Sequence, residues 1–173
     1  NSSYITFYKC RLFGSLVGKY DLAGVPAGQV PSHDIVFDGC DIRYTHDYGA
    51  LIYLRTGHDH WTIKNSELSN GPNGIYTYTD DGTGANYLTV ENNYIHDIGT
   101  VNFPNGDSHG VGIQSGAHNI IQNNLIENTG AAIEFWTASD PMFDMVARNN
   151  FIKDVRVAPV TGGEGIGVSG TNT

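Results

Sequence analysis

Leu88-Thr89-Val90-Glu91-Asn92-Asn93-Tyr94-Ile95, Asn119-Ile120-Ile121-Gln122-Asn123-Asn124-Leu125-Ile126 and Met145-Val146-Ala147-Arg148-Asn149-Asn150-Phe151-Ile152 are three copies of one pattern. Each alternates apolar and polar residues, breaks at an amide pair and resumes with an apolar residue, which reads as strand, sharp bend, strand. Upstream, Ile35-Val36-Phe37-Asp38-Gly39-Cys40-Asp41-Ile42 and Trp61-Thr62-Ile63-Lys64-Asn65-Ser66-Glu67-Leu68 fit the same frame, and the run from Ile5 through Phe7 and Cys10 to Leu12 gives a sixth copy. The position held by Cys10, Cys40, Ser66, Asn93, Asn124 and Asn150 advances by 30, 26, 27, 31 and 26 residues, so the period is near 26 with small insertions. A fixed period of this size marks a solenoid, because one repeat alone cannot bury its apolar face.

After a polar turn each repeat carries a further apolar segment: Leu51-Ile52-Tyr53-Leu54, Ile75-Tyr76-Thr77-Tyr78, Val111-Gly112-Ile113-Gln114, Ile133-Glu134-Phe135-Trp136 and Ile166-Gly167-Val168-Ser169. Two or three short strands per unit is the arithmetic of a parallel β-helix rung, so the expected fold is all-β, about six rungs forming one domain over residues 1–173. Equivalent Asn positions would stack about 4.8 Å apart and satisfy one another by amide hydrogen bonds. The first repeat begins within four residues of Asn1 and the last strand, near Val168, ends close to Thr173. Solenoids normally cover their terminal rungs with caps. The expectation is therefore an uncapped piece of a longer solenoid, or a chain that leans on a partner at an open end.

Eighteen Asp and Glu against nine Lys and Arg give a net charge of -9, which argues against a nucleic-acid partner. Hydrophobic residues at 39% and charged residues at 16% exclude a disordered polyelectrolyte. No apolar run approaches the roughly 20 residues of a membrane span. Cys10 and Cys40 are too few for a disulfide framework and too far apart in sequence for a zinc site. They share one repeat position on neighbouring rungs and are expected to be two stacked free thiols.

Alternation also sorts the side chains by face. Asp38, Lys64, Glu91, Gln122 and Arg148 point outward before the bend and form an expected surface ladder of charges. In the later strands the outward columns read Ile52, Tyr76, Gly112, Glu134, Gly167 and Leu54, Tyr78, Gln114, Trp136, Ser169. Sugar rings stack their C–H faces on aromatics while their hydroxyls need amide or carboxylate partners, so Tyr76, Tyr78, Gln114 and Trp136 are candidate subsites. Nearby lie Asp80, Asp81, Asp107, His109 and Glu134, of which Glu134, His109 and Asp107 are the leading candidates for acid and base roles. Arg55 is the cation placed to neutralise a uronate. No cofactor is required by these residues; calcium is the ion that Asp80 and Asp81 could hold. His58-Asp59-His60 reads as a solvated turn, with a two-histidine metal grip as the alternative.

The repeats as a whole resemble the right-handed parallel β-helix superfamily, and the resemblance covers nearly the whole chain. It implies a right-handed coil and an extracellular or cell-surface protein that cleaves, epimerises or binds polysaccharides. His109-Gly110 is similar to the Gly-His-Gly segment of polygalacturonase-type hydrolases, although that family's Asn-Thr-Asp, Gly-Asp-Asp and Arg-Ile-Lys segments are absent. Asp107-Ser108-His109 resembles the Asp-Pro-His of alginate epimerases without its proline. The leading expectation is a polysaccharide lyase or glycoside hydrolase. A noncatalytic glycan-binding or adhesin module and a purely structural solenoid segment are the alternatives.

Overall fold

The computed structural model describes residues 3–13, 32–44, 49–54, 57–79, 84–99, 108–137, 141–156 and 163–170. Strands are the only regular elements among them, and no helix is long and apolar enough to cross a membrane. The first sheet stacks Ser3–Tyr8, His33–Asp38, Thr62–Lys64, Thr89–Glu91, Ile120–Gln122 and Val146–Arg148. The second stacks Arg11–Phe13, Asp41–Arg43, Glu67–Ser69, Tyr94–His96, Leu125–Glu127 and Phe151–Lys153. The third holds Ile52–Leu54, Ile75–Thr77, His109–Gln114, Ala131–Thr137 and Ile166–Gly170. All pairings within them are parallel and run from rung to rung, which is a parallel β-helix. Among the described residues two sheets have six strands, the third has five, and a small parallel pair joins Gly116–Ala117 to Met142–Phe143.

The bend from the first to the second sheet explains the amide pairs. Its first residue is left-handed in every rung, with φ of 51° at Lys9, 67° at Gly39, 52° at Asn65, 55° at Asn92, 56° at Asn123 and 55° at Asn149. Gly and Asn adopt this geometry at least cost. The second residue turns inward and bonds along the axis. Asn124 Oδ1 accepts from the Asn93 backbone at 2.9 Å and from Asn93 Nδ2 at 3.1 Å, and Asn150 Oδ1 accepts from the Asn124 backbone at 3.0 Å and Nδ2 at 2.9 Å. Each amide thus satisfies backbone groups that burial would otherwise leave unpaired.

Inside the coil, like residues stack on like. Ile63, Val90 and Ile121 line the first sheet, Ile42, Leu68, Ile95 and Ile126 the second, and Ile75, Val111 and Ile133 the third, all fully buried. Phe7 and Phe37 stack at 4.7 Å between ring centroids. Cys10 and Cys40 are free thiols on neighbouring rungs, as expected.

Three details depart from or refine the sequence reading. Ile52 and Leu54 are buried, and Tyr53 is the outward residue of its strand, one residue out of phase with the expectation. Leu51-Ile52-Tyr53-Leu54 is apolar in either phase, so core packing and not alternation chose the register. His58 is no solvated turn: it is 1% exposed, its ring edge meets Trp61, and its Nδ1 lies 3.2 Å from Ser32 Oγ. Burial pushes its pKa below the ordinary histidine range. The outward charge ladder is present, with Lys64 Nζ 3.6 Å from Asp38, Gln122 donating to Glu91 at 2.8 Å and Arg148 to Gln122 at 2.8 Å.

Candidate active site

The outer face of the third sheet breaks the repetition that rules the interior. Register places Tyr53, Tyr76, Gly112, Glu134 and Gly167 in one column, two rings followed by a glycine, a carboxylate and a second glycine. Tyr53 and Tyr76 lie 5.7 Å apart, Tyr76 and Trp136 5.3 Å, and Trp136 stacks on His109 at 5.5 Å with 19° between planes. Gly112 is the floor that lets these rings converge: a Cβ there would come within 3.0 Å of Tyr76, 3.1 Å of His109 and 3.1 Å of Trp136. The glycine thus makes room for the protein's own rings.

His109 sits beneath this cluster at 2% exposure, and both ring nitrogens are engaged. Asn73 Nδ2 donates to the Gly49 carbonyl at 2.9 Å, which fixes the amide so that its Oδ1 faces His109. That oxygen accepts from the His109 backbone N–H at 2.8 Å and lies 3.1 Å from Nδ1. Nδ1 therefore donates to Asn73, and on the other side of the ring Nε2 meets Glu134 Oε2 at 2.5 Å. The hydrogen bond from His109 holds the Glu134 carboxyl below the ordinary glutamate range against the opposing effect of burial, and the Ser169 hydroxyl acts in the same sense as His109. Asn73, His109 and Glu134 form a chain in which one group orients the next and only the last reaches solvent, with the Glu134 side chain 23% exposed.

A second carboxylate arrives from the following rung. A Cβ on Gly167 would lie 1.8 Å from Glu164 Oε2 and 3.4 Å from Glu134 Cγ, so both glutamates close over the same glycine. Two glutamate side chains thus meet at one point of the outer face, and glycoside hydrolysis uses a pair of carboxyl groups.

A profile for the right handed beta helix region matches residues 28–173. The chain belongs to the right-handed β-helix family. No curated protein and no solved structure matches it in the corresponding comparisons. Family membership gives the coil its hand and its rung logic, and the site must be read from its own residues.

Set against the sequence, the β-helix brings Glu134, His109, Tyr76 and Trp136 together on one face. Tyr78 is 37% exposed just past the same strand. Gln114 is 5% exposed, and its Oε1 accepts from the Thr79 backbone at 3.1 Å, so its amide is committed to the fold. Arg55, Asp80, Asp81 and Asp107 lie outside the described residues. Among the described residues no group of three His, Cys, Asp or Glu side chains is arranged to hold a metal. Tyr53, Asn73 and Glu164 are the participants that sequence reasoning missed. Asn73 lies in Gly71-Pro72-Asn73-Gly74, which reads as a turn. Glu164 was findable only by noticing that Gly167 falls opposite Glu134 and that a carboxylate stands three residues before it.

Proposed function

We propose that this β-helix protein binds a neutral polysaccharide along the outer face of its third sheet and hydrolyses it. The observation that carries the reading is the convergence of Glu134 and Glu164 over Gly167, beside the ring floor of Tyr53, Tyr76 and Trp136. Glu134, held ionised by His109, takes the proton from a water whose oxygen attacks the anomeric carbon. Glu164 delivers a proton to the glycosidic oxygen as the bond to the leaving sugar breaks. His109 and Asn73 act through Glu134 as positioning residues.

Two features favour hydrolysis over elimination from a uronate. Among the described residues the five strands of this sheet carry no Lys or Arg, which leaves Arg55, beyond the strand Ile52–Leu54, as the cation for a substrate carboxylate, and the chain carries a net charge of -9. Polysaccharides too large to cross a bilayer are met outside the cell, so the same reading carries an extracellular or cell-surface location.

The test is a panel of neutral and uronate polysaccharides, with and without calcium, followed by reducing ends and by the ultraviolet absorbance of unsaturated uronates. New reducing ends without absorbance, lost in both Glu134→Gln and Glu164→Gln, are the expected result. Absorbance would identify a lyase. Retention of a polymer in affinity gels without any cleavage, abolished by Trp136→Ala, would leave the face a binding module.

A further inference from the structure

The bend that enters the first sheet makes the same backbone demand as the amide bend but fills it differently. Tyr4, Asp34, His60, Tyr87, His118 and Asp144 all have left-handed φ, between 50° at Asp144 and 58° at Tyr4 and His118. Rings are costly residues for that geometry, where Asn and Gly are cheap. Three of these rings stack on the outside of the coil: His60 on Tyr87 at 4.5 Å and 13°, and Tyr87 on His118 at 4.8 Å and 18°. The stack then stops. The next rung holds Asp34, and the rung beyond it holds Tyr4, 82% exposed.

A groove runs along this column and across the interruption, lined by Tyr4, Asp34, His60 and Tyr87 and by the outward strand residues from Thr6 to Thr89 beside them. One face of His60 is covered by Tyr87, so its other face turns towards the rung of Asp34. Two strand spacings separate the rungs of Tyr4 and His60, about 9.6 Å. Tyr4 meets His33 edge-on at 6.1 Å between ring centroids, and the rung between Tyr4 and His60 supplies the Asp34 carboxylate. Ring faces beside a carboxylate suit a sugar, whose C–H face stacks and whose hydroxyls donate, better than a flat aromatic without donors. Asp34 is the one carboxylate among the described residues that line the groove, hydrogen-bonded to His33 at 2.7 Å, and the chain's net charge of -9 disfavours a polyanion there. The Asp34 carboxylate still has acceptor capacity for hydroxyl donors beyond its bond to His33.

We propose that this slot is a second carbohydrate subsite, taking one uncharged pyranose between Tyr4 and His60 with its hydroxyls on Asp34. It lies on a different sheet from the Glu134 site and stands whether or not that site is catalytic.

Isothermal titration of the full chain in a Trp136→Ala background, with cellohexaose, maltohexaose and chitohexaose as probes and p-nitrophenol as a flat aromatic control, separates the two faces. Binding of at least one hexasaccharide is expected. Tyr4→Ala, His60→Ala and Asp34→Asn should each weaken it about tenfold, while Tyr4→Phe, which keeps the ring, should not. Circular dichroism identical to the parent verifies the fold of each variant. Absence of hexasaccharide binding in this background, binding indifferent to all three substitutions, or binding of p-nitrophenol alone would overturn the proposal. Cleavage by the otherwise unaltered chain should be retained in Asp34→Asn, so failure of the slot and failure of the hydrolase reading give different results.

Discussion

The amide bend and the outer face of the third sheet are built on the same repeat and use it in opposite ways. Along the bend, Asn93, Asn124 and Asn150 do one job three times, each bonding the backbone of the rung before. Along the outer column, Tyr53 and Tyr76 give way to Gly112, Glu134 and Gly167, so one register position passes from rings to a glycine to a carboxylate. In a coil whose rungs face identical physical demands, recurrence of a residue marks what the fold needs, and its loss marks what the fold leaves free for chemistry.

This contrast can be broken from either side. The largest effect is expected from Glu134→Gln, which should lower glycan hydrolysis by about 10²–10⁴-fold while the melting temperature moves little, as read by reducing ends and calorimetry. Asn124→Ala should do the reverse. It strands the Asn93 N–H and deletes the bonds of Asn124 Nδ2 to Val90 and Asn150, and should cost roughly 2–4 kcal/mol in chemical denaturation without touching the third sheet. Gly112→Ala tests the seam between the two: with three rings within 3.1 Å of the new methyl, about 1–3 kcal/mol of stability should be lost and the ring floor displaced, visible in near-ultraviolet circular dichroism. At the small end, Arg148→Ala on the exposed ladder should change stability by less than about 1 kcal/mol in the same denaturation assay.

Acid sharpens the comparison further. The His58 pKa is lowered in the folded chain, so the unfolded chain binds its proton first, and stability present above about pH 6.5 should be lost as the pH falls towards the folded value. Glu134 and Asp97 are also lowered, with His109 and His96 as the main causes, and their contribution is present above the ordinary carboxylate range and lost below it. Denaturation followed against pH should show two acid steps. His58→Asn should remove the upper one, and Glu134→Gln should diminish the lower one.

The solenoid was legible because its signals are local and redundant: left-handed bends select Asn and Gly, and rung after rung repeats the choice. The site was legible only in part. Glu134 and Trp136 stand in a strand whose buried partners Ile133 and Phe135 fix the phase, so their outward direction could be read. Tyr53 could not, because its neighbours are apolar on both sides and only the packed core distinguishes the two phases. The pairing of His109 with Asn73 spans 36 residues and joins the start of one strand to a turn in the rung before it, a contact that periodicity does not encode. Glu164 reaches Gly167 from outside the strand, so the alternation rule never applied to it.

The amide ladder also has a mechanical meaning. Its bonds run along the coil axis, so tension on that axis loads the rungs in series and the chain parts where the side-chain reinforcement is thinnest. Asn93 and Asn124 are joined by two bonds to Asn124 Oδ1 and one from Asn124 Nδ2 to Val90, whereas Cys40 is tied to the next rung's ladder position through its N–H to Ser66 Oγ. Under pulling, rupture should begin between the rungs of Cys10 and Cys40, joined here through the weak Cys40 thiol donor to the Phe7 carbonyl, and leave the rungs from Asn93 to Asn150 as the last to open.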